Sequence, residues 1–200
     1  MHSKNIRQDM SFKAMRQAMD NYWPIPSSTW DAVCSICSHH EVIKGQQLYC
    51  AGEVPLSFAF VYQGLFRSYI TNDQGKEYNK IFFDEGTFPG TMTALLTSTE
   101  SKFTIQAIEN SRVININFAA FRKLLKTDHA LALFHIHYLE KNWLLAKDAR
   151  EIQLVQENAE QRYTRFTLNH ASICARIPQY HIASHLGITP TQLSRIRKKV

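Results

Sequence analysis

Residues 161–200 hold seven Lys or Arg and no Asp or Glu, in a 200-residue chain whose net charge is +6. The 160 residues before them carry a net charge of −1. All the excess positive charge sits in the C-terminal fifth, the distribution expected of a chain that meets a polyanion with that end. Residues 179–200, QYHIASHLGITPTQLSRIRKKV, read as two short helices around a glycine turn. Ile182, Ala183 and Leu186 give the first helix an apolar face, and Ala183 is small enough for a close helix crossing. Gly187 can take positive φ and end that helix. Ile188 fills the space between the helices. Thr189 suits an N-cap and Pro190 the first helical position.

Leu193 and Ile196, three apart, then point inward. Thr191, Gln192, Ser194, Arg195, Lys198 and Lys199 are left facing outward, with Arg197 near the flank. Such a partition is what reading a duplex requires: apolar residues hold the helix while its polar face enters the major groove. Arg195 can pair with guanine through two hydrogen bonds, worth roughly 1–3 kcal/mol of discrimination. Thr189, Thr191, Gln192 and Ser194 are candidates for a base edge or a phosphate, and Gln179 for the DNA backbone. Arg197, Lys198 and Lys199 are expected on phosphates, which position without reading sequence.

An apolar share of 44% and an aromatic share of 12% fit an ordinary globular chain with a real core. No apolar run approaches the roughly 18–20 residues a membrane helix needs, and the first residues lack the apolar stretch of a signal peptide. A cytoplasmic protein with no membrane partner is expected. Four cysteines, Cys34, Cys37, Cys50 and Cys174, are expected to be free thiols.

Residues 12–20 pattern as a short helix that the Tyr22–Pro26 stretch interrupts. Ser28 and Asp31 look like a helix start, and Trp30, Val33, Cys34 and Cys37 recur at helical spacing. From Gln46 the period becomes two. Short apolar runs at 58–62, 65–70, 77–83, 103–108 and 112–117 alternate with glycine turns, the pattern of an antiparallel barrel or sandwich. Residues 72–75 are the best hairpin turn. Helix returns at 118–126. A pattern of about thirty residues follows at 128–157, with Leu131, Phe134, Tyr138, Leu145, Ala149, Ile152 and Val155 at spacings of three, four and seven. Such a stripe can pack on its own domain or pair with a second copy. Its length, about 45 Å as a helix, favours the second copy. A further helix is expected at 159–169, with Tyr163 and Phe166 on one face.

The segment Leu186-Gly-Ile-Thr-Pro-Thr-Gln-Leu-Ser-Arg-Ile-Arg-Lys198 resembles the helix-turn-helix of the Crp/Fnr family of bacterial transcription regulators. Upstream, Lys44-Gly45, Gly52-Glu53, Val61-Tyr-Gln-Gly64, Gly75-Lys-Glu77 and Phe88-Pro-Gly90 resemble, in order, a cyclic-nucleotide-binding β-roll. The resemblance implies an α+β chain. Residues 1–127 would be an antiparallel, jelly-roll-like β-roll with flanking helices, 128–157 a dimerisation helix, and 158–200 a small helical DNA-binding domain. It implies a homodimer on double-stranded DNA, with RNA polymerase and a small-molecule effector as further candidate partners. In nucleotide-binding members the roll carries a Glu for the ribose and an Arg for the cyclic phosphate. Here Thr91 stands at the first place, between Gly90 and Met92, and Ser101 at the second, beside Lys102. Without an acceptor for the ribose and a planar fork for the phosphate, no cyclic nucleotide is expected as cofactor. If a ligand binds, Gly90, Thr91, Met92, Ser101 and Lys102 are the candidate residues. Many relatives add a β-hairpin wing after the recognition helix; none is expected after Val200, so fewer phosphate contacts are expected per subunit.

Cys34-x-x-Cys37, with Cys50 and His39-His40 nearby, does not supply four ligands at a recognised metal spacing, so no metal centre is expected. His135 and His137, two apart, fall on different sides of a helix. No phosphate-binding loop, nucleophile elbow or acid–base pair is evident, so no enzymatic activity is expected. The rival expectation is a small-molecule-binding β-roll whose helical C-terminus serves protein contacts.

Overall fold

The computed structural model describes residues 2–148 and 156–199, with side chains from Met10 onward. Helices α1 (His2–Asp20) and α2 (Ser27–Cys34) precede seven antiparallel strands. These are β1 (Cys37–Val42), β2 (Gln47–Tyr49), β3 (Ser57–Gln63), β4 (Phe66–Thr71), β5 (Glu77–Phe83), β6 (Thr104–Ala107) and β7 (Ser111–Asn117). They form two sheets, ordered β1-β7-β3 and β2-β6-β4-β5. A short helix, α3 (Met92–Thr97), links β5 to β6.

Alternation along β3 explains how β3 and β7 of the three-stranded sheet are buried on both faces. Phe58 and Phe60, with Ile114 and Ile116 of β7, pack against Met15, Met19, Val33, Phe121, Leu131 and Phe134 of the helices. Ala59 and Val61, with Val113, face Phe66, Ile105 and Ala107 of the other sheet. The β4–β5 hairpin turns at Asn72, whose Oδ1 accepts from the amides of Gln74 and Lys76, and Gly75 sits at φ +75°.

Two expectations need correction. Cys37 begins β1 rather than ending a helix, and Ser28 lies inside α2, which starts after Pro26 without a side-chain cap. Strand β1 shows no alternation because four of its six residues are exposed; it is held by its ladder to β7.

Helix α4 (Phe118–Thr127) and helix α5 (His129–Leu139) follow, capped by Asn117 and Asp128. Asp128 accepts from the Leu131 amide at 2.9 Å and from the Thr29 hydroxyl at 2.6 Å, tying α5 to α2. The expected stripe then divides. Leu131 and Phe134 are buried and Tyr138 packs beside them, but Leu145 is 64% exposed. A π-helical turn occupies Glu140–Leu145. A π turn holds more residues than an α turn, so positions beyond it lose phase with those before it. The Asn142 amide donates to the Tyr138 carbonyl at 2.9 Å and to the Tyr22 hydroxyl at 3.0 Å, anchoring this turn. Ala149, Ile152 and Val155 of the expected stripe lie outside the described residues.

Candidate DNA interface and cavity

Helix α6 (Ala159–Asn169) opens with a capping box between Asn158 and Gln161, and Phe166 is buried on it with Tyr163 alongside. Helix α7 (Gln179–Leu186) starts after Pro178 and ends at Gly187, whose φ is +69°. Helix α8 (Pro190–Arg197) has Thr189 as N-cap, its side chain accepting from the Gln192 amide at 3.1 Å. Ile182, Ala183, Leu186 and Leu193 are buried together, with Ile188 packed against them, while Ile196 is half-buried. The two helices thus stand at the expected positions, clamped by the expected residues.

Thr189, Thr191, Gln192, Ser194, Arg195, Arg197, Lys198 and Lys199 are exposed, as is Gln179 at the start of α7. Among the described residues no carboxylate forms a salt bridge with Arg195, Arg197, Lys198 or Lys199. One residue is not wholly available. Gln192 Oε1 accepts from the Thr189 amide at 2.9 Å, so Gln192 completes a capping box. Thr-x-x-Gln before an apolar residue is a sequence signature for that box, and the box competes with a base contact for the Gln192 amide.

The opposite side of this unit does not face solvent. Helix α7 lies on β5, and Leu65, Phe82 and Ile108 of the roll join the apolar cluster of α6–α8. A polar knot fastens the seam. Arg67 of β4 is 5% exposed. It donates to Gln106 Oε1 at 2.9 and 2.6 Å, to Glu77 at 2.5 Å and to Asn79 at 3.2 Å. Its guanidinium also lies 3.3 Å from His181 Nδ1. Asn79 Nδ2 donates to the His181 carbonyl at 3.1 Å, and Ser184 bridges the backbones of Glu77 and Asn79. Burial, then the Arg67 charge, lowers the His181 pKa to about 4, so its ring is neutral at neutral pH and Nδ1 can accept. A second tie lies beside it: Arg176 pairs with Glu85 at 2.9 Å and with Glu109. None of this seam was legible in the sequence. Arg67 sits within an apolar run, and β4 is buried on both faces, so no alternation marks it.

A cavity of about 700 Å³ opens between the four-stranded sheet, α3 and the α5–π segment. Gly90, Thr91, Met92, Ser101 and Lys102, the candidate ligand residues, all line it. The sequence did not point to Lys80, Phe103, Tyr138 or Lys141, which also line it. At Gly90 any side chain would crowd Phe58, its Cβ coming within 2.7 Å of the Phe58 Cβ. His135 borders the cavity too, edge-on to Phe121, while His137 stacks on Trp23 away from it.

The four cysteines are unpaired. Burial pushes the Cys37 thiol up to about 12, and its Sγ–H donates to the Val33 carbonyl. Among the described residues no three His, Cys, Asp or Glu stand close enough to hold a metal ion. No described helix is long and apolar enough to cross a membrane.

Residues 39–128 match the family model of the cyclic nucleotide-binding domain. A search of curated proteins finds no match. Among solved structures, FixK2 from Bradyrhizobium japonicum superposes with a TM-score of 0.70 at 18% identity, over 82% of this chain and 84% of that one. The c-di-GMP-responsive global regulator CLP from Xanthomonas campestris gives 0.68 at 14% identity, over 87% and 91%. A protein assigned to the Crp/Fnr transcriptional regulators, from Eubacterium rectale ATCC 33656, gives 0.64 at 19% identity, over 90% and 87%. The chain has the α+β fold of the Crp/Fnr transcription regulators, and its residues 39–128 form a domain of the cyclic nucleotide-binding type.

Proposed function

We propose that this chain is a homodimeric, DNA-binding transcription regulator of Crp/Fnr type, with α8 entering the major groove. The observation that carries the reading is the asymmetry of α8. Leu193 locks it inward, while Arg195, Lys198 and Lys199 stand exposed and unpaired by carboxylate among the described residues. Arg195 is the residue for a base edge; Arg197, Lys198 and Lys199 serve phosphates. Gln179 meets the backbone, and Thr191 and Ser194 line the same face.

Dimerisation is supported by Ile136, Trp143, Leu144 and Leu145, large apolar side chains left exposed along the α5–π segment. The functional division is 1–127 for the roll, 128–157 for subunit pairing and 158–200 for DNA. Control by a cyclic nucleotide in the usual way is not part of the proposal, because Thr91 and Ser101 supply neither a carboxylate nor a guanidinium.

Selection of bound fragments from random duplex DNA, followed by anisotropy titrations across salt, tests the reading. The expected result is a two-fold symmetric site with half-sites roughly 34 Å apart, bound by two chains, with affinity falling steeply as salt rises. Salt-independent retention of fragments, or no enriched sequence, would instead favour a roll whose helical end meets other proteins.

A further inference from the structure

We infer that the cavity takes an apolar monoanion, a carboxylate or sulfonate carried on an aliphatic or aromatic body. Its volume of about 700 Å³ lies within the roughly 300–1,000 Å³ usual for small-molecule sites. Its walls are largely aromatic: Phe58, Phe88, Phe103, Phe121, Phe134 and Tyr138. Such walls reward apolar surface and leave a ribose or a base edge short of partners.

The polar equipment is sparse and specific. Thr91 is 7% exposed, and its hydroxyl oxygen is buried with no hydrogen-bond partner. A buried hydroxyl that lines a cavity and lacks a partner fits a donor or acceptor supplied by a ligand. Ser101 cannot take that role, since its hydroxyl donates to the Phe103 carbonyl at 2.7 Å and accepts from the Phe103 amide at 3.0 Å. Charge sets the sign. Lys102 and Lys141 border the cavity, and among the described lining residues Glu100 is the carboxylate. Lys80 lies 4.5 Å from the centre of the Phe103 ring, so one ammonium already stands at the aromatic wall. A cationic rim, one open hydroxyl and an aromatic interior together select a negative head on an oily body. The ammonium groups of Lys102 and Lys141, point charges on flexible stems, attract such a head without the planar fork that would grip a phosphodiester.

Calorimetry on the full chain without DNA tests this separately from the regulator reading. The probes are hexanoate, octanoate and decanoate, with decanol and cyclic AMP as comparators. Affinity is expected to rise roughly three- to fourfold per added methylene. Decanol is expected to bind at least tenfold more weakly than decanoate, and cyclic AMP more weakly still. Thr91→Val is expected to weaken decanoate several-fold while leaving the thermal midpoint equal or higher, which separates a lost ligand contact from a lost fold. Lys102→Met is expected to narrow the gap between decanoate and decanol. Equal binding of decanol and decanoate, tighter binding of cyclic AMP, or no alkanoate binding at millimolar concentration by folded protein would each overturn the inference. Unaltered decanoate binding in Thr91→Val would remove that residue from it.

Discussion

The two sides of the terminal helical unit use the same residue types for opposite ends. On the inner side, cations are spent on the protein itself. Arg176 clamps Glu85 and Glu109, Arg162 donates to the carbonyls of Glu157 and Leu186, and Arg165 pairs with Glu157. On the outer side, Arg195, Arg197, Lys198 and Lys199 meet no described carboxylate. Three of the seven basic residues that make the C-terminal fifth so positive are therefore structural. Net charge locates a polyanion-binding end but overstates its reach; what matters is which cations the fold leaves unneutralised.

Substitutions can break this comparison. Arg67→Ala should cost the most, about 3 kcal/mol, because Gln106, Asn79 and His181 lose a shared buried donor. Urea unfolding measures it, and the salt dependence of DNA binding should not change. Arg195→Ala should do the reverse. It should cost about 1–3 kcal/mol in specific DNA affinity, little on random duplex, and less than about 0.5 kcal/mol of stability. Equal losses on specific and random DNA would make Arg195 a phosphate contact.

Acid probes the inner side through His181. Its folded pKa of about 4 lies below the usual value of 6.5. The unfolded chain therefore takes up the proton first, and stability falls as pH drops below about 6.5, levelling off near 4. Between pH 7.5 and 5 the loss from this group should be about 2 kcal/mol. The difference between wild type and His181→Gln isolates it from the carboxylates; parallel pH profiles for the two would show that His181 carries no such linkage. The smallest effect belongs to the outer side: Thr189→Ala should cost about 1 kcal/mol by removing the cap of α8. A thermal melt unchanged by Thr189→Ala would show the box to be idle in solution.

The terminal helix pair was readable because its determinants are local. Turn, cap and inward apolar pair lie within twenty residues, and each has a fixed backbone meaning. The strands from Ser57 onward were readable for the same reason, through the glycine turns that bound their short apolar runs. Strand β1 was hidden because its residues are mostly exposed and its partner, β7, lies about seventy residues away. The π turn was hidden because Leu145 sits at an ideal α spacing from Tyr138, and no residue in the local pattern marks the extra one. The ligand residues named from resemblance stand in one cavity, but the lysines and aromatics around them come from elements that only tertiary packing brings together. The seam is the extreme case: Arg67 and His181 are 114 positions apart, and nothing local to either marks the other.

The π turn makes the linking helix adjustable in whole-residue steps. Restoring plain α geometry there with every residue kept would swing Ala146, Lys147 and Asp148 by about 100° around the axis, whereas deleting one residue at the same time would leave their phase as it is. A turn straightened at unchanged length would therefore re-aim the side chains that follow it while leaving the roll as it is.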